Sequence, residues 1–228
     1  MNRKYPRIPH LPWSPGATSD DRRLPDAASL IDVPLVVTEK MDGSNLCMTN
    51  RAIFARSHAM PPRHRSFDMA KSSWATIKSK ISAHRSVFGE WCYARHSIQY
   101  ESLPGYLLLF SVRDDGSGAW RSWQDVRRLA ESLSLPTVPE LWSGQVSGAS
   151  SMRKLITGLI QSRSRCGGDM EGVVIRRAGS FKDSEFGISV AKWVRAGHVR
   201  SDDHWSVRPI DSNRLVADMG AASLGWAS

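Results

Sequence analysis

Apolar and polar positions alternate over short stretches in much of the chain, which is typical of β-strands. The stretches with this pattern are 33–41, 45–49, 52–56, 86–93, 106–112, 171–177 and 187–194. Turn residues separate the first three, at Asp42-Gly43 and Asn50-Arg51. Because these strands do not alternate with helices as in a βαβ series, they predict an α+β domain with mainly antiparallel sheets.

Apolar residues three or four positions apart predict three helices in the middle of the chain. The first covers 67–82 and is expected to begin with Ser66 as its N-cap. The second follows the capping-box pattern Ser122–Asp125, and the third covers 151–162. We expect these helices to flank the sheets.

The first 30 residues differ from the rest because prolines recur through them. Their prolines are Pro6, Pro9, Pro12, Pro15 and Pro25. So many prolines exclude a helix or a central strand. Residues 1–30 are therefore predicted to form an extended arm over the rest of the protein. Residues 31–228 are predicted to form one folded domain, because no clear linker divides them.

The charge of the chain indicates what kind of partner it favours, and its cysteine content indicates a cellular compartment. Lysine and arginine number 31 against 22 acidic residues, and the net charge of +9 favours polyanions such as nucleic acids and nucleotides. Three cysteines without a CxxC pair argue against a disulfide framework or a zinc site and favour the reducing cytoplasm. No apolar run is long enough for a membrane helix, and the proline-rich N-terminus does not resemble a signal peptide.

Four short motifs contain side chains suited to catalysis. They are Lys40-Met-Asp42-Gly43, Gly89-Glu90, the EGVVIR stretch that begins at Glu171, and Lys192 on the last predicted strand. The K-x-D-G pattern alone arises by chance in about 5% of chains of this length, and it also fits a hairpin with an Asp-Gly turn. Each of the other motifs, taken alone, is more typical of a structural side chain.

In this order, the four motifs resemble those of the covalent nucleotidyltransferases, which include ATP-dependent DNA and RNA ligases and mRNA capping enzymes. The resemblance covers residues 33–195. Within that superfamily, the stretches FGEWCYARHSIQYESLPGYLLLFSV and IFARSH are most similar to RNA ligases related to the nick-sealing phage type. The resemblance implies an adenylation-domain fold and ATP-dependent RNA ligation.

The resemblance also implies a role for each matching residue. Lys40, Asp42 and Lys192 are implied to be catalytic, with Lys40 as the nucleophile that takes AMP from ATP. The implied nucleotide-binding residues are Glu39, Lys40, Arg56, Glu90, Phe110 and Lys192. The implied ligands of Mg²⁺ or Mn²⁺ are Asp42, Glu90 and Glu171. Within these sets, Phe110 is implied to stack on adenine and Lys192 to contact the α-phosphate.

A lysine nucleophile needs particular surroundings, because a free lysine with a pKa of about 10.4 is protonated at neutral pH. Nearby positive charge or removal from water lowers that pKa. A metal ion and a second cationic side chain would supply the positive charge, and both would stabilise the phosphate in the transition state.

The last motif departs from the family pattern. Many relatives have two lysines there, as K-x-K, whereas Val194 occupies the second position in this chain. Arg195 comes one residue later and is expected on the opposite face of the strand. The second cation is therefore left open between Arg176, Arg177 and Lys182. Many ligases also append an OB-fold domain, and the stretch of about 30 residues after Arg195 is too short for one.

The implied function is an ATP-dependent ligase that adenylates Lys40, transfers AMP to a 5′-phosphate and seals that end to a 3′-hydroxyl. The expected partner is RNA, in a nicked duplex or an RNA–DNA hybrid, with a partner protein as a source of extra strand binding. The alternatives are a DNA ligase, a capping guanylyltransferase and an inactive nucleic-acid-binding module of the same fold. Basic residues form either a phosphate-binding track or ordinary solvated faces: Arg63, Arg65, Lys71, Lys78, Lys80, Arg127 and Arg128.

Overall fold

The computed structural model describes residues 4–55, 62–197 and 210–217. Within these ranges the strands are β1 (Leu35–Glu39), β2 (Ser44–Met48), β3 (Ile53–Ala55), β4 (Arg85–Trp91), β5 (Leu107–Asp114), β6 (Ala119–Trp120), β7 (Glu140–Gly144), β8 (Gly172–Arg177), β9 (Phe181–Lys182) and β10 (Val190–Val194). The helices are α1 (Asp68–Ile77), α2 (Trp123–Ser132), α3 (Ala149–Ile160) and α4 (Phe186–Ser189). No helix in the described ranges is long and apolar enough to cross a membrane.

The strands form two sheets. Sheet A has the order β10-β8-β1-β7, and sheet B has the order β3-β2-β4-β5-β6-β9. Neighbouring strands run antiparallel in both sheets. This arrangement confirms the predicted α+β class with mainly antiparallel sheets.

The K-x-D-G motif lies where the chain passes from one sheet to the other. β1 ends at Glu39 in sheet A and β2 begins at Ser44 in sheet B, so these strands do not form the hairpin that an Asp-Gly turn suggests. Gly43 is suited to this crossing, because a Cβ there would lie 2.6 Å from the main-chain oxygen of Trp91. A side chain would push the crossing segment away from the end of β4. The crossing places Lys40 at the junction of the two sheets.

The first and second helices differ in how well their starts were predicted. Ser122 is the N-cap of α2, as predicted, and its hydroxyl accepts the N–H of Asp125. The prediction of Ser66 as the N-cap of the first helix is wrong. Ser66 lies in a short 3₁₀ turn, where its N–H donates to the ring of His64, and α1 begins only at Asp68.

Two further elements differ from the predictions. The stretch 187–194 is divided into α4 and β10, since Phe186 packs its ring 5.0 Å from that of Trp120 and anchors a helical turn before the strand. β7 pairs with β1 at the edge of sheet A but was not predicted as a strand. Its residues are largely exposed, and Pro136 and Pro139 just before it are typical of a loop.

The N-terminal arm, residues 4–24, extends sheet A beyond β10. The Lys192 N–H donates to the Pro9 carbonyl at 2.9 Å, and the Leu11 N–H donates to the Lys192 carbonyl at 2.8 Å. The arm then turns back on itself, and the Leu24 N–H donates to the His10 carbonyl at 2.8 Å. Leu11 and Leu24 are buried, so the arm belongs to the packed core.

The C-terminal segment, residues 210–217, docks on the loop that follows β4 in sheet B. Asn213 is buried, and its side chain accepts the Tyr100 N–H and donates to the Cys92 carbonyl, both at 2.8 Å. Arg95 pairs with Asp211 at 3.0 Å. The segment therefore ties this loop to the end of β4.

Candidate active site

A cavity of about 370 Å³ is lined by sheet A, sheet B and the N-terminal arm. Val190 and Lys192 lie two residues apart on β10, so their side chains share one face. They pair in register with Arg176 and Val174 on β8, and all four residues line the cavity. Residues of β4 and β5 line it from sheet B.

Lys40 lines this cavity and is paired with Glu171. The main-chain N–H of Lys40 donates to the Gly172 carbonyl at 2.9 Å, which places Lys40 beside Glu171, the residue before Gly172. Lys40 Nζ lies 2.5 Å from Glu171 Oε1, and the glutamate side chain is only 5% exposed. Burial alone would lower the pKa of Lys40, but the charge and hydrogen bond of Glu171, together with Glu90 and Asp42, raise it above its usual value. Lys40 is therefore held as a charged ammonium.

Glu90 lines the cavity from the end of β4, on the sheet B side. It pairs in register with Asn45 on β2. Burial raises the pKa of Glu90 to about 8. The charge of Lys40 lowers this pKa by a smaller amount, and the charges of Glu171 and Asp42 raise it. At neutral pH this carboxyl group is largely protonated unless another cation is added nearby.

Asp42 fastens the crossing segment to the loop after β4. Its Oδ2 accepts the N–H groups of Ser97 at 2.7 Å and Ile98 at 2.8 Å. The Asp42 N–H donates to Tyr100 Oη at 2.8 Å. These contacts hold the loop close to the motif, because Asp42 lies only two positions after Lys40. The catalytic and metal-binding roles implied for Asp42 stay predictions.

Glu39 places a buried acceptor in the cavity wall. Its residue is 1% exposed, and its Oε2 accepts the Arg165 N–H at 3.0 Å. Its Oε1 has no hydrogen-bond partner among the described residues. Burial raises the pKa of Glu39. Because a buried polar atom without a partner costs about 1–3 kcal/mol, this oxygen suits a ligand that carries an N–H group.

Phe110 lines the cavity from β5, and its ring contacts Tyr5 of the N-terminal arm. The two ring centroids are 4.9 Å apart, and the planes meet at 82°. Tyr5 also packs against three further rings at 5.1–5.3 Å: Phe88, Trp120 and Phe186. Tyr5 is a cavity residue that the sequence does not predict, because proline spacing predicts an extended arm but does not indicate where the arm docks.

Arg176 is the candidate for the second cation that lines the cavity, whereas Arg177 and Lys182 do not line it. The Arg176 residue is buried, and its guanidinium donates to the Arg121 carbonyl at 2.7 Å. The guanidinium is thus already engaged by the main chain. Arg56, the remaining residue with an implied nucleotide role, lies outside the described residues.

The described ranges contain no group of three His, Cys, Asp or Glu side chains that could hold a metal ion unaided. Glu171 contacts Lys40, and Glu90 lines the same cavity and acts electrostatically on Lys40. Two carboxylates suit Mg²⁺ or Mn²⁺, since waters and phosphate oxygens usually complete the shell of such ions. A bound nucleotide would therefore be needed to complete a metal site.

Part of the basic surface is neutralised by neighbouring acids. Lys71 lies 2.6 Å from Asp68 on α1, and Arg128 lies 3.9 Å from Asp125 on α2. These contacts favour a solvated face for the two residues, and the phosphate-binding track stays a prediction.

Solved nucleotidyltransferase-type ligases share this fold of antiparallel sheets and helices. The chain is a member of the RNA ligase family, whose sequence model matches residues 33–194. This match confirms the family that the order of the motifs indicates. No curated protein matches the chain.

Solved structures of ligases share the fold. An archaeal ATP-dependent RNA ligase is 16% identical with a TM-score of 0.56, over 85% of this chain and 48% of that protein. A mutant RNA ligase of Naegleria gruberi, solved with ATP and Mn, is 15% identical with a TM-score of 0.51, over 78% and 54%. A putative ATP-dependent DNA ligase from Aquifex aeolicus is 19% identical with a TM-score of 0.55, over 84% and 50%. The chain spans about half the length of these proteins, and at such identities the likeness shows the fold alone.

Proposed function

We propose that this chain is an ATP-dependent RNA ligase with Lys40 as its nucleophile. Lys40 attacks the α-phosphate of ATP, releases pyrophosphate and forms a lysyl-AMP bond. AMP then passes to a 5′-phosphate end, and a 3′-hydroxyl displaces it to seal the strand. The observation that carries this proposal is the position of Lys40 in the cavity at the junction of the sheets, 2.5 Å from the buried Glu171.

Lys40 must lose a proton before it attacks, and Glu171 governs that proton. The Glu171 carboxylate raises the pKa of Lys40, so the amine is not nucleophilic while this pair persists. A divalent cation, Mg²⁺ or Mn²⁺, would be held by Glu171 and Glu90, and it would supply the positive charge that lowers the pKa of Lys40 and stabilises the reacting phosphate. Lys192 would contact the α-phosphate from sheet A, and Asp42 would keep the crossing segment in place.

The adenine base would lie between Glu39 and Phe110. The Oε1 atom of Glu39 is a buried acceptor without a partner among the described residues, and the amino group of adenine is a donor. Phe110 would present its ring to the base, as aromatic side chains do in many nucleotide sites. Together these groups suit a purine nucleotide, and the choice of ATP rests on the family resemblance.

Labelling with ATP or GTP radioactive at the α-phosphate, followed by denaturation, tests the nucleophile and the nucleotide. We expect label from ATP to remain on the wild-type protein and to be absent from Lys40→Ala. The matched control is Lys154→Ala, which removes an exposed lysine on α3 and should label normally. Absence of label on the wild-type protein would refute the proposal, label on Lys40→Ala would reassign the nucleophile, and label from GTP alone would indicate a guanylyltransferase.

Nicked duplexes test the strand to be sealed. We expect sealing when the 3′-hydroxyl end is ribonucleotide, with slower sealing when it is deoxyribonucleotide. Equal or faster sealing of an all-DNA nick would assign the chain to DNA joining. A protein that labels Lys40 but seals neither nick would be an adenylating protein without ligase activity.

A further inference from the structure

The N-terminal arm forms one wall of the cavity, in addition to packing on sheet A. Tyr5 and Ile8 line the cavity from the first part of the arm. Asp20 and Asp21 line it from the part where the arm turns back on itself. Charged side chains on this wall would therefore lie close to any nucleotide that binds Lys40.

The arm holds Lys192 through both its main chain and its side chain. The Lys192 N–H and carbonyl are bonded to Pro9 and Leu11, at 2.9 and 2.8 Å. Its Nζ lies 3.8 Å from Asp21 Oδ1, and both side chains are partly exposed, at 21% and 34%. The lysine implied to contact the α-phosphate is thus placed beside a carboxylate from the arm.

Asp21 is itself fixed by its neighbours. Its Oδ2 accepts the Thr18 N–H at 3.1 Å and the Thr18 hydroxyl at 3.0 Å, and lies 3.5 Å from His10 Nε2. The hydrogen bonds from Thr18 outweigh burial and lower the pKa of Asp21, so its carboxylate is charged at neutral pH. Burial, helped by Lys192, lowers the pKa of His10 to about 4, so this ring is neutral. The charge that faces Lys192 from this network is therefore that of Asp21.

We propose that Asp21 is a positioning residue that holds Lys192 in the cavity and must yield it to the phosphate of the incoming nucleotide. This inference rests on the proposed function of the cavity as an ATP site. A phosphate that approaches Lys192 competes with a fixed carboxylate, because one ammonium group cannot satisfy both anions at full strength. Removing the charge of Asp21 while keeping its shape should therefore tighten the binding of phosphate-bearing nucleotides.

Equilibrium binding of ATP, AMP and adenosine to Asp21→Asn tests this directly. We expect ATP and AMP to bind about two- to fivefold more tightly than to the wild type, the range of a partly exposed ion pair, and adenosine to bind unchanged. The gain should shrink as salt is raised, since salt screens such pairs. In steady state, KM for ATP should fall while kcat does not rise. The matched control is Asp20→Asn, which makes the same charge change on the cavity wall one residue away from the Asp21–Lys192 pair.

A double-mutant cycle separates a direct action on Lys192 from a general effect of charge. In a Lys192→Gln background, Asp21→Asn should change ATP affinity by less than about 1.5-fold, which is roughly the smallest effect that such a cycle detects. Equal effects of Asp20→Asn and Asp21→Asn, weaker ATP binding by Asp21→Asn, or a shift that persists without Lys192 would each overturn the inference.

Failure of this inference can be told apart from failure of the proposed function. A wild-type protein that binds ATP but never becomes labelled would refute the ligase proposal, and the affinities would still decide the role of Asp21. A wild-type protein that is labelled on Lys40 while Asp21→Asn binds ATP as the wild type does would refute only the role of Asp21. A wild-type protein that binds no ATP would overturn both.

Discussion

The sheet A side of the cavity holds two lysines in ion pairs, whereas sheet B presents the carboxyl group of Glu90, whose charge depends on pH. On sheet A, Lys40 is paired with Glu171, and Lys192 lies beside Asp21. On the sheet B side, burial raises the pKa of Glu90 to about 8. The two paired lysines therefore carry their charges before a nucleotide arrives, while the charge of Glu90 follows pH and any cation that binds.

The N-terminal arm and the C-terminal segment also differ, because only the arm lines the cavity. The arm adds to sheet A and lines the cavity with residues such as Tyr5 and Asp21. The C-terminal segment, residues 210–217, packs on the loop after β4 and is not part of the cavity lining. Changes at the arm residues that line the cavity should therefore act on the ligand, and changes in the C-terminal segment should act on stability.

Asn213→Ala is expected to have the largest effect on stability. It would leave the buried Tyr100 N–H and Cys92 carbonyl without their partner, both at 2.8 Å in the native structure. Since an unsatisfied buried group costs about 1–3 kcal/mol, we expect the free energy of unfolding to fall by about 2–4 kcal/mol in a urea titration. ATP affinity of the folded protein should stay within about twofold of wild type, because this change lies outside the cavity.

Ser212→Ala is the control for this prediction, because Ser212 is the exposed neighbour of Asn213. It should change stability by less than about 0.5 kcal/mol. If Asn213→Ala weakened ATP binding tenfold without a loss of stability, the C-terminal segment would belong to the site, and the contrast with the arm would fail.

The strands with the strongest apolar patterns could be predicted from the sequence, and the docking of the arm could not. β1, β4, β5 and β8 carry buried apolar runs, and their predicted positions agree with the structure to within a few residues. The arm pairs with β10 through main-chain groups, which every residue type except proline offers in full, so the side-chain pattern does not indicate where the arm docks. Asp21 and Lys192 are for this reason neighbours that sequence reasoning could not bring together.

The crossing at Lys40 shows a second limit of sequence reasoning. An Asp-Gly turn after an apolar strand is the usual sign of a hairpin, yet β1 and β2 belong to different sheets. The close approach of Gly43 to the Trp91 carbonyl explains the glycine, but that approach exists only in the folded chain. The proximity of Lys40 and Glu171 could be expected only from the order of the family motifs.

Glu90→Gln is expected to remove a pH dependence of stability that belongs to the sheet B wall. Folded Glu90 has a pKa of about 8, against an ordinary value of 4.5. Between these values the folded state binds more protons than the unfolded state, so wild-type stability should fall as pH rises from about 5 to 8. Because Glu90 is partly exposed and acts on Lys40, we expect a loss of roughly 1–3 kcal/mol, and Glu90→Gln should not show it.

Urea titrations at several pH values between about 5 and 9 would measure this difference. Glu131→Gln, which changes an exposed glutamate on α2, should keep the wild-type slope. If Glu90→Gln and wild type lost stability in parallel, the carboxyl group of Glu90 would already be ionised at pH 5, and the two walls would be alike.

Tyr5→Leu is expected to have the smallest effect, and to act on the ligand more than on the fold. It would remove the ring that packs 4.9 Å from Phe110, the residue implied to stack on adenine. Aromatic pairs contribute about 0.5–1.5 kcal/mol beyond area burial, so a less well-held Phe110 should weaken ATP binding about fivefold. Tyr5→Phe keeps the ring and should bind ATP within about twofold of wild type. If Tyr5→Leu lowered stability without any change in ATP affinity, the arm would act like the C-terminal segment, as a structural clamp outside the site.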